Sequence, residues 1–198
     1  MDIQIIDYGA GNIQSVKNAL QKLGYKAGLT TDHQKLLNAD RVIFPGVGHA
    51  KSAMELLQKH KLEEIIPKLE QPVLGICLGM QLMCSSTEEG NTEGLGIFDA
   101  KVKRFPGDLK VPQIGWNKAN FNDHPLFDGI ERNEWMYSVH SFYVELNQHQ
   151  IATADYGLTY AASMQNKNFF AAQFHPEKSH TSGLKLIENF LSKQFENE

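Results

Sequence analysis

The sequence predicts an α/β fold. We expect one domain over residues 1–198, built on an open, mixed and mainly parallel sheet with flanking helices and a strand-rich second half. Three observations predict it. Short apolar runs alternate with helical periodicities through the first half, the pattern of parallel βαβ units. Glycine-bearing turns follow three of those runs, at Tyr8-Gly9-Ala10-Gly11-Asn12, Pro45-Gly46-Val47-Gly48 and Gly75-Ile76-Cys77-Leu78-Gly79. From Gly96 onward, β-branched and aromatic residues cluster between turn signals instead.

Taken in order, Ile3-Gln4-Ile5-Ile6-Asp7 reads as the first strand. Ile13, Val16, Leu20 and Leu23 then recur at helical spacing, and Gly24 is placed to end that helix. Short strands are expected at Ala27 to Thr31 and at Arg41 to Phe44, the second broken by Pro45. Met54, Leu57 and Leu62 open another helical pattern, Pro72 to Ile76 gives the next strand, and Gly79 to Cys84 turns into a helix. Strands follow within Gly96 to Arg104, Glu134 to Leu146, Gln150 to Asp155 and Leu158 to Phe174, with a hairpin turn at Asn166-Lys167-Asn168. A last amphipathic helix, Gly183 to Phe195, carries Leu184, Ile187, Phe190 and Leu191 on one face.

Composition narrows the function classes. Hydrophobic residues make up 41% and charged residues 21%, as in a soluble globular chain, and a net charge of -4 argues against a nucleic-acid surface. The N-terminus lacks a basic, apolar leader, and no apolar run is long enough to span a bilayer. Two cysteines, Cys77 and Cys84, form neither a disulfide framework nor a metal-ligand pattern. A cytoplasmic protein without metal, organic cofactor, membrane or nucleic-acid partner is therefore expected.

Gly-x-Cys-x-Gly between a strand and a helix matches the nucleophile elbow, with Cys in place of the more familiar Ser. Gly75 and Gly79 would clear space for a sharp turn that exposes Cys77 at a helix start. The bland alternative is a buried thiol in a tight turn. A nucleophile needs a base and an orienting acid. In Phe174-His175-Pro176-Glu177, extended backbone would put His175 and Glu177 on one side, so Glu177 can hold one imidazole nitrogen while the other faces the thiol. The N–H of Leu78 and those of Gly46, Val47 and Gly48 are candidates for an oxyanion hole.

These segments, GICLGMQ, FHPEKS and PGVG, with Cys before His before Glu, resemble class I (triad) glutamine amidotransferases over the whole chain. The resemblance implies that family's fold and attack of Cys77 on the side-chain amide of glutamine. It further implies glutamine binding by Gln81, Glu89 and the backbone at Ser138, Val139 and His140. DYGAGNIQSV, QIGWN and the length of 198 residues look most like members that act as a separate glutaminase subunit, sending ammonia to a cyclase (synthase) partner in a heterodimer. Asn12, Trp116 and Lys178 match positions near that interface. For His140 a structural role in a strand competes with a second base, and Cys84 reads as a buried thiol. A paralogue feeding a surface-sugar synthase is the nearer rival. A dinucleotide-binding module, from Gly9-Ala10-Gly11 and Asp32, is weaker because Gln14 occupies the third glycine position.

Overall fold

The computed structural model describes residues 1–195; the last three residues of the expected domain, 196–198, lie outside the described residues. The first half alternates as expected: β1 (Ile3–Ile6), α1 (Ile13–Lys22), β2 (Gly28–Thr30), α2 (His33–Asn38), β3 (Arg41–Gly46), α3 (Ala50–Lys59), β4 (Val73–Cys77) and α4 (Leu78–Met83). Nine strands follow: β5 (Cys84–Thr87), β6 (Thr92–Glu93), β7 (Phe98–Arg104), β8 (Gln113–Phe121), β9 (Asn133–His140), β10 (Phe142–Val144), β11 (Gln150–Asp155), β12 (Thr159–Asn166) and β13 (Phe169–Ala172). Helix α5 (His180–Ser192) is the last element among the described residues.

The strand order is β2-β1-β3-β4-β13-β12-β10-β7-β5-β6, with β11 joining β12 to β8 and β9 pairing with β8. From β2 to β13 every neighbour is parallel. Strands β1, β4 and β13 are buried along their whole length, which explains the apolar runs of β4 and β13 and an apolar β1 interrupted only by Gln4. Beyond β13 the ladder turns antiparallel through β12, β10 and β7. Alternation along β3 divides the core. Val42 and Phe44 pack with α2, α3 and α4 on one face, while Ile43 packs with α1 and α5 on the other.

Several expectations meet a different outcome. Pro45 does not break its strand: β3 runs on to Gly46, paired with Cys77. Val42 N–H points to β4, so by alternation Pro45 faces the β1 side, where that ladder has ended at Ile43. The missing N–H therefore breaks no bond. Helix α4 stops at Met83 because Leu82, Met83 and Cys84 carbonyls accept the N–H groups of Leu95, Ile97 and Gly96 at 2.7, 2.9 and 3.2 Å. The stretch Glu134 to Leu146 splits at Ser141 into β9 and β10, which pair with different neighbours. Helix α5 starts three residues early, at His180. The hairpin stands as expected, with Asn166 opposite Phe169 and Lys167 at φ +52°.

Candidate active site

Cys77 ends β4 with φ +54° and ψ -106°, a conformation that side-chain-bearing residues rarely adopt. Its neighbours make the turn sterically possible. A Cβ on Gly79 would lie 2.0 Å from the Phe44 carbonyl oxygen, and one on Gly75 would lie 2.8 Å from Met83 Sδ. Gly46, opposite in β3, comes as close: a Cβ there would meet Gly79 N at 2.8 Å. The three glycines let β3, β4 and the start of α4 approach closely.

His175 follows the end of β13, but Glu177 lies in a 3-10 turn, Pro176–Lys178, not in the extended chain expected, and it is this turn that brings its carboxylate back to the imidazole. His175 Nδ1 bonds Glu177 Oε1 at 2.8 Å, and both side chains are 1% exposed. With Nδ1–H donated to the carboxylate, Nε2 is left on the opposite side of the ring; it is buried and without a hydrogen-bond partner, as is Glu177 Oε2. Burial opposes charge on this imidazole, but attraction from Cys77 and Glu177 outweighs it and pushes the pKa up to about 10. The sulfur acts on the ring's charge without being aligned in a hydrogen bond to Nε2. Cys77 Sγ instead lies 3.8 Å from the Val139 carbonyl oxygen and 3.8 Å from Gln173 Nε2.

Cys77 and His175 open into a cavity of about 230 Å³. Val47, Gly48 and Leu78 line it, as do Gln81, Glu89, Val139 and His140. Gly46 and Ser138 do not reach the cavity: the first serves close packing, and the second is a buried residue of β9 opposite Gly115. Gln81 Nε2 donates to the Phe142 carbonyl at 3.0 Å and to Gln173 Oε1 at 2.9 Å. Glu89 Oε2 accepts the Ala50 N–H at the start of α3 at 2.7 Å. His140 Nδ1 donates to the Phe142 carbonyl at 2.7 Å, and burial first, then the nearby His175, push its pKa down to about 4. It stays neutral and packs against Phe105 and Tyr160, the structural role.

Sequence reasoning passed over Gln173, Pro112, Ser141 and Phe142, all of which line the cavity or touch Cys77 or Gln81. Gln173 carried a usable signal: it stands two residues before His175, so extended chain puts both on one side.

The remaining candidates lie apart from the cavity. Trp116 is 43% exposed, stacks on His180 at 4.8 Å and meets Tyr137 edge-on at 5.9 Å. Lys178 Nζ sits 5.6 Å over the same Tyr137 ring, and the Tyr137 carbonyl accepts the His175 N–H at 2.8 Å. Asn12 caps α1, its Oδ1 accepting the Ser15 N–H at 3.4 Å. The groups a dinucleotide would use are engaged elsewhere: Asp32 caps α2 through the Lys35 N–H at 2.9 Å, and Gly11 packs against Pro45. Cys84 is fully buried and donates to the Met80 carbonyl at 3.5 Å, and burial pushes its thiol up.

A cysteine at a strained strand–helix turn, beside a histidine held by a carboxylate, is the arrangement that triad hydrolases built on open α/β sheets use. The model of the family described as glutamine amidotransferase class-I matches residues 4–194, and the chain belongs to that family. It is similar to imidazole glycerol phosphate synthase subunit HisH of Bacteroides fragilis (strain YCH46), with 48% identity covering 96% of this chain and 99% of the relative. The protein of the same name from Haemophilus influenzae (strain ATCC 51907 / DSM 11121 / KW20 / Rd) is 47% identical, covering 98% of each chain. Among solved structures, one described as a glutamine amidotransferase superposes with TM-score 0.76 at 18% identity, covering 96% of this chain and 97% of the other. PurLQS from Thermotoga maritima gives 0.75 at 19% identity, with the same coverage. Those two likenesses establish the fold.

Proposed function

We propose that this chain is the glutaminase subunit of an imidazole glycerol phosphate synthase, a cytoplasmic heterodimer of histidine biosynthesis. The observation that carries the reading is Cys77 at positive φ beside a His175 tied to Glu177, in a chain 47–48% identical to relatives bearing that subunit's name. Among the described residues no helix is long and apolar enough to cross a membrane.

In this reading the Cys77 sulfur attacks the side-chain amide carbon of glutamine while His175 Nε2 takes the thiol proton. N–H groups of Leu78 and of the Val47–Gly48 segment receive the charge that develops on the amide oxygen. The tetrahedral intermediate collapses, the C–N bond breaks, and His175 gives its proton to the leaving ammonia. Water, deprotonated by His175, then attacks the γ-glutamyl thioester and releases glutamate and the thiol. Glu177 holds Nδ1–H throughout, so one ring nitrogen faces the chemistry. Gln81 and Glu89 present polar groups to the amino-acid end of the substrate. No step requires a metal or an organic cofactor.

Ammonia passes to the cyclase partner, which uses it to form imidazole glycerol phosphate and an aminoimidazole carboxamide ribotide. Ile114, Trp116 and Trp135 form an exposed apolar strip on the β8–β9 hairpin, of the kind a partner covers. Trp116 and Lys178, which share Tyr137, connect that strip to the backbone of His175, and Asn12 would add a contact from the start of α1. The test is glutamate release from glutamine by the chain alone, then with a histidine-pathway cyclase and its nucleotide substrate. A strong rise in the complex is the expected result. No rise would redirect the ammonia to another synthase, with a surface-sugar enzyme next in line.

A further inference from the structure

We infer that Gln173 is a positioning residue for Cys77, holding the sulfur through its side-chain N–H. The orientation of this buried amide is set by a chain of contacts that begins at a group with no choice. The Phe142 carbonyl can only accept, so the Gln81 group 3.0 Å from it is the NH2. The same NH2 lies 2.9 Å from Gln173, which must therefore present its oxygen. The Gln173 NH2 is then left facing Cys77 Sγ at 3.8 Å. Turning Gln81 over would set its oxygen against the Phe142 oxygen, and turning Gln173 over would set its NH2 against that of Gln81. Gln173 and Gln81 are 1% and 4% exposed, so water cannot relieve either clash.

The sulfur thus sits between two unlike partners at equal distance. The Val139 carbonyl accepts only and suits the thiol, whose S–H can point at it. The Gln173 N–H donates only and suits the thiolate. Once His175 removes the proton, Val139 has no hydrogen left to accept. Gln173 then keeps the anionic sulfur in the cavity wall, where the substrate amide carbon can reach it. The inference deepens the proposed function and rests on it for the identity of the attacked substrate.

The experiment reads the pH midpoint of Cys77 alkylation by iodoacetamide in the whole chain, with mass spectrometry separating the Cys77 peptide from that of Cys84. Two variants are compared with wild type: Gln173→Met, of similar length but without a donor, and Gln173→Asn, whose amide is one methylene short. Both are expected to raise the midpoint by about one pH unit, the worth of one hydrogen bond to a charged group. Both are expected to lower kcat about tenfold in the complex with the cyclase, with KM changed by less than about threefold. A merely structural role would lower the melting temperature without moving the midpoint. If Met fails to fold, Asn carries the test, and an unmoved midpoint in either folded variant overturns the inference. Failure of the proposed function looks different: wild type would then not hydrolyse glutamine, although the midpoints still moved.

Discussion

His175 and His140 face the same small cavity, at 1% and 6% exposure, yet their imidazoles are driven in opposite directions, up to about 10 and down to about 4. The first belongs to the wall built at the ends of the parallel strands β4 and β13, where Glu177 and the Cys77 sulfur surround it. The second belongs to the β9–β10 wall, where it meets a backbone carbonyl and aromatic rings. The cysteines divide in the same way at the two ends of α4. Cys77 stands at positive φ and opens on the cavity, while Cys84 is sealed in the core on the Met80 carbonyl. Burial alone therefore does not make a group reactive. What distinguishes the wall that carries the proposed triad is a charged or ionisable partner within reach and a backbone bent to turn Cys77 onto the cavity.

The contrast is broken most completely by Cys77→Ala, which removes the proposed nucleophile. Glutamine hydrolysis is expected to fall by at least about 10³-fold, while synthesis by the partner from added ammonia continues. Glutamate and product assays on one sample check both halves. Glu177→Gln tests the cause more sharply, because it makes the surroundings of His175 more like those of His140. Its imidazole midpoint, followed by NMR, is expected to drop below about 10 and turnover to fall about 10²-fold. A retained midpoint would show that Cys77 alone sustains the shift.

His140 leaves its mark on acid stability. Its folded-state pKa is about 4 against an ordinary 6.5, so between those values the unfolded chain binds the proton first. Stability is expected to be full above about pH 6.5 and to decline as pH falls through about 4, by up to roughly 3 kcal/mol. Urea unfolding at a series of pH values measures this, and His140→Gln should flatten the slope. The smallest effect is expected of Cys84→Ala, a loss of about 1 kcal/mol in urea unfolding with glutaminase activity kept.

Much of the site was legible because its chemistry is encoded locally. Gly75 and Gly79 flank Cys77 where the Met83 sulfur and the Phe44 carbonyl leave no room for a Cβ, and a two-residue step joins His175 to Glu177. The fully buried strands were legible for a similar reason, since an apolar run reports its own burial. Strand β8 was not. Its residues Gly115, Asn117, Lys118 and Asn120 have low strand propensity, and it is held by pairing with β9 from Gln113–His140 to Asn120–Asn133. The helix α4 was read to within one residue at each end, but the contacts of its last carbonyls with residues 95–97 were not, since no local pattern announces them.

By itself, then, the sequence determined the alternating α/β order, the cysteine elbow and the histidine–glutamate step, all set by residues within a few positions of one another. Tertiary structure alone decided which contacts the sulfur and its pocket make. Val139 comes from 62 residues away and Gln173 from 96, and Glu89 reaches the cavity while capping α3 from another loop. Polar contacts of that kind carry no periodic signature, because each depends on a partner brought near only when the whole sheet closes around the pocket.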